Sequence, residues 1–369
     1  MHYDDAMNNN AGNVMSTTIP PLTAAETLAL PEIIPERCVH SMMEQASCQA
    51  CVDVCPSGAW VLDDDCLGID PDRCDNCGLC ASACTEGALR HRHEPLTGQW
   101  KKHALAMLAC ERQRDLVGEE SGRISCLHAL GLRDLLALYR RGYRLFYLAS
   151  GDCDQCERGT ALRLEKRVGE LNGWLERNGL ESIRLRRVEA VKWLRIARTI
   201  EPSPVAGLQS RRRFLGEALS RAVDKAIAAQ TLFEHEKAPF EPPGEMLPEA
   251  QGASYFPFAP IIDEASCMAC NACIALCPHQ ALTREDAEAP AYRIDPAKCS
   301  GCRLCVDVCE ASAIQVKTWT LADQTRVPLA ARRCRSCGAD FFQTRLKQAD
   351  QCSICQITES HANLFQVLD

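Results

Sequence analysis

Cys267, Cys270, Cys273 and Cys277 follow the spacing C-x2-C-x2-C-x3-C, and Cys299, Cys302, Cys305 and Cys309 repeat it. Four thiolates so spaced can enclose a cubane iron–sulfur cluster, because a tight loop offers three sulfurs from one corner and the fourth opens a short helix. Where the run occurs twice, the fourth cysteine of each serves the other cluster. One [4Fe–4S] cluster is therefore expected on Cys267, Cys270, Cys273 and Cys309. A second is expected on Cys299, Cys302, Cys305 and Cys277.

The pattern recurs upstream in altered form. Cys74, Cys77, Cys80 and Cys84 make one regular run, while the run before it keeps only Cys48, Cys51 and Cys55-Pro56. Its leading position holds Gln45, and Cys38 is the natural replacement, as if the binding loop carried an insertion. Cross-ligation then assigns Cys38, Cys48, Cys51 and Cys84 to one cluster and Cys74, Cys77, Cys80 and Cys55 to another. If Cys38 does not reach, a three-iron cluster is the alternative. Both regions resemble the bacterial-type two-cluster ferredoxin module, which implies four [4Fe–4S] clusters in all.

Two further cysteine groups stand apart. Cys334 and Cys337, then Cys352 and Cys355, form two C-x-x-C knuckles around a short strand-like insert, DFFQTRL. Four sulfurs in a tetrahedron suit zinc or a single iron, as in a zinc ribbon or a rubredoxin-like site. Cys110, Cys126, Cys153 and Cys156 lie between the two ferredoxin-like regions. The 25 cysteines divide as 16 for four cubanes, four here, four in the knuckles, and Cys66 left over.

The elements that must position the middle group read as alternating strands and helices. Strands are expected at 103–110, 124–126, 143–150 and 182–188, and amphipathic helices at 132–141, 160–178 and 189–198. Such alternation predicts a parallel α/β sheet. All four cysteines then fall at the carboxyl ends of strands, the edge where open α/β sheets bind ligands. They could hold a [2Fe–2S] cluster; four scattered buried thiols are the other reading.

Residues 103–200 resemble the small iron–sulfur (delta) subunit of methyl-viologen-reducing hydrogenases. The resemblance rests on Cys110 after the first strand, RISCLHALGLRDLLALYRRGYRLFYLASGDCDQC, the following long helix, GLESIRL and VEAVKWLR. In that family the domain passes electrons from a hydrogenase into a heterodisulfide reductase complex. This chain departs from the family in having one cysteine after the first strand, and in lacking His-Tyr after Gly151-Asp152-Cys153.

The expected organisation is a multidomain α+β and α/β chain: a flexible lead (1–34), ferredoxin module 1 (35–98), the delta-subunit-like domain (99–206), a helix and Pro-rich linker (207–260), ferredoxin module 2 (261–320) and a zinc ribbon (321–369). The helix SRRRFLGEALSRAVDKAIAAQ and the arginines of 184–198 make a basic stretch, read as a solvated face or a docking surface for an acidic partner. The net charge of −8 does not point to nucleic acid. No run approaches the length of a membrane span, no signal peptide is recognisable, and so many thiols fit a reducing, cytoplasmic setting.

No dinucleotide fingerprint, P-loop, HExxH or Ser/His/Asp arrangement is present. His91, His93 and His103 read as core or surface histidines. The expected function is therefore non-catalytic electron transfer between redox partners in a heterodisulfide-reductase-like, hydrogenase or formate dehydrogenase complex. Alternatives are the four-cluster subunit of a molybdenum oxidoreductase, which has no comparable α/β insert, and a cluster- and zinc-bearing regulatory or assembly scaffold.

Overall fold

The computed structural model describes residues 30–62, 67–91, 93–113, 122–159, 163–202, 240–249, 255–286 and 289–362. The expectations for most of the N-terminal lead, for Cys66 and for the helix beginning at Ser210 lie outside these residues. Among the described residues, no helix is long and apolar enough to cross a membrane.

The α/β region is built on the strand His103–Cys110, whose middle residues are wholly buried on both sides. Its alternating side chains part between two cores. Ala106 and Leu108 pack with Phe146, Leu148 and the helices Leu132–Arg140 and Leu164–Arg177. Leu105, Met107 and Ala109 pack with Trp193 and Ile196 of the helix Ala190–Ala197. A strand covered on both faces reads as continuously apolar, which is why HALAMLAC carries no polar alternation.

The sheet is mixed, not purely parallel. His103–Cys110 runs parallel to Leu145–Ala149 and to the short Arg123–Ile124, and Leu145–Ala149 runs parallel to Arg184–Arg187. On the other side Leu96–Trp100 pairs antiparallel with His103–Cys110, and Glu201–Pro202 pairs antiparallel with Leu96–Trp100. The cause is local. Lys101 and Lys102 both take left-handed backbone, φ 49° and 68°, and a two-residue turn of that kind joins only antiparallel strands.

In the C-terminal third, Tyr255–Ile262 pairs antiparallel with Ile314–Leu321 along its length. The strands Leu282–Glu285 and Ala291–Ile294 form a hairpin, and Arg326–Arg333 adds to its outer edge before pairing with Asp340–Thr344. The knuckle region thus continues the sheet that begins between the two halves of the C-terminal ferredoxin-like region.

The regions are joined by specific contacts. Trp174 Nε1 donates to the Tyr255 carbonyl at 2.7 Å, and Trp319 packs against the same core. Phe240 stacks on His279 at 4.9 Å while Arg133 and Arg37 lie against its ring. Leu304, fully buried, sits with Val39 and Ala46 against Met42, Met43 and Cys302. At the edge of this seam the Asp307 carboxylate accepts from Ser47 N at 2.9 Å and Ser47 Oγ at 2.8 Å.

Candidate metal centres

None of the described cysteines is in a disulfide. In three of the four ferredoxin-like runs the loop is set by two left-handed residues, at the second position after the first cysteine and at the position after the second. These are Asn76 and Gly78, Ala269 and Asn271, and Gly301 and Arg303. The second of each pair caps a helix of one turn, Leu79–Ala83, Ala272–Ala275 or Leu304–Asp307, which carries the third cysteine. A further left-handed turn recurs three residues past each closing cysteine, at Gly58, Gly87, Gln280 and Ser312. It aims a backbone N–H back at sulfur: Ala59 N to Cys55 Sγ at 3.3 Å, Ala281 N to Cys277 Sγ at 3.2 Å, and Ala313 N to Cys309 Sγ at 3.3 Å. Such donors favour the thiolate over the thiol.

The run that departs in sequence departs in structure at the same place. Gln49, which caps Ala50–Val54, has φ −125°, so the left-handed turn is absent there. In its stead Cys38 precedes a short helix, Val39–Met42, and His40 Nε2 lies 2.8 Å from the Cys48 carbonyl across the enlarged loop.

The thiols meet in groups that show in their acidity. Burial, then Cys48, Cys84 and Cys38, push the Cys51 thiol up to about 12. Burial, then Cys267, Cys270 and Cys309, do the same to Cys273. Cys305 is raised by burial and then by Cys299, Cys302, Cys273 and Cys277. Cys74 is raised by burial and feels Cys55. Each closing cysteine thus acts on the partner run: Cys84 on Cys51, Cys55 on Cys74, Cys309 on Cys273 and Cys277 on Cys305. Burial opposes ionisation of Cys55 too, but the Ser57 hydroxyl and neighbouring backbone N–H groups outweigh it and lower its pKa. Thiols held neutral by burial and mutual repulsion ionise when a cation arrives, so loading such sites releases protons.

The middle group gathers at one edge of the α/β sheet. Cys110 ends its strand, Cys126 follows Arg123–Ile124, and Cys153 and Cys156 follow Leu145–Ala149. Burial raises Cys110, with Cys153 and Cys156 adding to the effect, and lifts Cys126 to about 11, with Cys110 and Cys153 contributing.

A residue that carries no sequence signal lies beside them. Arg158 is 6% exposed. Its Nε meets the Asp75 carboxylate at 2.5 Å, one NH2 contact reaches Glu111 at 2.8 Å and another the Asp75 carbonyl at 2.7 Å, and NH1 donates to the Ser125 carbonyl at 2.6 Å. Burial works against its charge, but Asp75 and Glu111 more than compensate and hold it protonated.

At the C-terminus the four sulfurs of Cys334, Cys337, Cys352 and Cys355 lie within 4.8 Å of one another. Cys337 Sγ and Cys352 Sγ are 3.8 Å apart, the edge of a tetrahedron of about 2.3 Å metal–sulfur bonds. Backbone N–H groups of Cys337 and then Cys352 draw the Cys334 thiol down to about 6, the latter at 3.2 Å. One preformed thiolate among four close sulfurs fits a single ion. The strand Asp340–Thr344 lies between the knuckles. Thr344 Oγ1 donates to the Glu264 carbonyl at 2.5 Å and Lys347 Nζ to the Ser266 carbonyl at 3.3 Å.

Among the described residues, His91 and His93 bond or pack away from the sulfurs. His93 is half-buried with both ring nitrogens shut off from solvent, and this desolvation lowers its pKa to about 4; its ring lies 5.0 Å from that of His91, which bonds Asn76 Oδ1 at 2.8 Å.

Two family models match the chain at these centres. Residues 266–313 match the family model of a 4Fe-4S dicluster domain, and residues 67–90 match that of a 4Fe-4S binding domain. The chain therefore carries two ferredoxin-type 4Fe-4S domains. The second match covers the regular run of Cys74–Cys84 and starts after the altered run.

Proposed function

We propose that this protein is an electron-transfer subunit of a redox complex of the heterodisulfide-reductase, hydrogenase or formate dehydrogenase kind, working in the cytoplasm between two redox-protein partners. Cys38, Cys48, Cys51 and Cys84 would hold one cubane, and Cys55, Cys74, Cys77 and Cys80 the next. Cys267, Cys270, Cys273 and Cys309, with Cys277, Cys299, Cys302 and Cys305, would hold two more. Cys110, Cys126, Cys153 and Cys156 would hold a two-iron cluster, and the knuckle cysteines a zinc. Clusters of this kind exchange single electrons at potentials set by charge, hydrogen bonds and exposure.

The chain's own part is to hold that chemistry ready. The recurring N–H donors onto Cys55, Cys277 and Cys309 stabilise the more negative state of each site. Burial of Cys77, Cys80, Cys299 and Cys305 keeps water from the sulfurs. The observation that carries the reading is that cysteines of both runs share one core in each module, Cys51, Cys55, Cys80 and Cys84 in the first and Cys267, Cys273, Cys277, Cys305 and Cys309 in the second, as shared ligation requires. For the middle site, the support is four thiols beside one buried, charge-paired arginine. The choice of complex rests on the delta-subunit resemblance of residues 103–200.

The test is iron, sulfide and zinc analysis of anaerobically purified protein, with redox-titrated paramagnetic resonance on the same sample. About 18 irons and about one zinc per chain are expected. About 16 irons would remove the two-iron site and leave the α/β domain as a docking module only. Far fewer, with no signal after reconstitution, would refute the reading.

A further inference from the structure

We infer that the sulfur sites form one unbranched series, in an order different from that of the chain. The order is the α/β site, the Cys74 site, the Cys38 site, the Cys299 site and the Cys267 site, with the knuckle capping the last. This rests on the electron-transfer reading above and adds to it the route and its two ends.

Each junction stands on contacts of its own. Between the α/β site and the Cys74 site, Cys126 and Cys77 pack in one small apolar cluster with Leu79 and Ala129. Arg158 spans the same junction, tying the Cys74–Cys77 loop through Asp75 to the residues next to Cys110 and Cys126. Within the first module, Cys51, Cys55, Cys80 and Cys84 border a single core around Trp60 and Leu89. Between modules, Met42 and Met43 of the enlarged Cys38 loop meet Leu304 and Cys302. Glu86, 5% exposed and two residues past Cys84, reaches His279, two past Cys277, at 2.8 Å. Within the second module, Cys267, Cys273, Cys277 and Cys309 line one core with Cys305. Thr344 and Lys347 then fasten the knuckle to the loop before Cys267.

The α/β domain also touches the C-terminal region through Trp174 and Tyr255, but that contact contains no cysteine. The enlarged Cys38 loop gains a purpose in this order: its inserted helix is the surface that meets the second module. At the two ends, Cys153 and Cys156 are partly exposed and Cys270 is exposed; within the series the exposed Cys48 lies at the margin of the seam between the modules. One electron at a time would enter from a reduced redox protein at one terminus and leave to an oxidised one at the other, with no bond made or broken.

The order is tested by moving charges at two junctions of the full-length, reconstituted chain. Potentials are read by redox-titrated paramagnetic resonance, with signals assigned through one Cys→Ser replacement per site. Arg158→Gln removes a cation shared by two sites, so the potentials of the α/β and Cys74 sites fall together while the second-module sites stay put; Arg158→Lys recovers most of the shift. Glu86→Gln removes an anion at the other junction, so the Cys38 and Cys299 sites rise and the α/β site does not move. A shift confined to one site of either pair, or one that reaches the far end, overturns the order. If Arg158→Gln loses its clusters, Glu86→Gln decides alone. An unmodified chain that takes up no iron defeats the functional reading itself; a loaded chain with shifts in the wrong pairs defeats only the order.

Discussion

Leu304→Ala should undock the two ferredoxin modules without unfolding either. Leu304 is wholly buried, and its neighbours across the seam are Val39 and Ala46, with Met42 and Met43 partly covering it. Truncating a buried leucine costs about 2–5 kcal/mol. Flexible methionines can refill part of the gap, which places this site near the lower half, at about 3 kcal/mol. The polar edge of the same seam is worth less. Asp307 takes two hydrogen bonds from Ser47, but Ser47 is exposed and Asp307 only half-buried, so Asp307→Asn should cost about 1 kcal/mol. Hydrogen exchange on the loaded, full-length chain reads the difference at the amides of Ser41, Met43 and Ala46, which are bonded within the Cys38 loop. Roughly 100-fold faster exchange is expected for Leu304→Ala and roughly 5-fold for Asp307→Asn, following from tenfold per about 1.4 kcal/mol. Iron content measured alongside separates undocking from cluster loss. If Leu304→Ala accelerates these amides no more than Asp307→Asn, the seam is not held by its apolar centre. If the helix Leu132–Arg140 accelerates equally, the effect is global.

Cys38→Ser should convert one four-iron signal into a three-iron signal in paramagnetic resonance, whereas Gln45→Ala should leave the spectrum unchanged. Desolvation of its ring nitrogens holds the pKa of His93 at about 4 against the ordinary 6.5 of a histidine, so the unfolded chain binds the proton first. That contribution to stability is whole above pH 6.5 and is lost as pH falls toward 4; denaturant titrations should show a loss of about 1 kcal/mol by about pH 5.5 that His93→Gln abolishes. Cys337→Ser should lower zinc by about one per chain and, through Thr344 and Lys347, speed proteolysis within residues 263–267. Zinc loss with no change in that loop would show that the knuckle does not brace it.

Much of the site was open to reading because cluster chemistry imposes local spacing. Three of the four cysteine runs could be recognised by counting; the fourth, where Gln45 stands in the leading position, is also the one that lacks the left-handed turn. The left-handed turns at Ala269 and Arg303 could not, since nothing in those residue types favours φ above zero. Arg158 was equally hidden. Its partners Asp75 and Glu111 are 83 and 47 residues away, and an arginine among many declares itself only when something buries it. Strand HALAMLAC was plain from its unbroken apolar run, but its antiparallel neighbour LTGQW was not. Only the hairpin at Lys101 and Lys102 assigns LTGQW to this sheet. The pairing of Arg326–Arg333 with Ala291–Ile294 depends on register between distant segments, which periodicity does not encode.

The bond between Ser47 and Asp307 closes a loop of 260 residues. During synthesis that span takes roughly 13–50 s to emerge. Throughout that interval the face of the first module that later meets Leu304 is bare, with the exposed Cys48 at its margin. Biogenesis therefore has a built-in window: iron and sulfide can reach the Cys38 loop from a side that the finished molecule closes. A chain interrupted before residue 299 would lack Leu304 and Asp307 and so keep that side open.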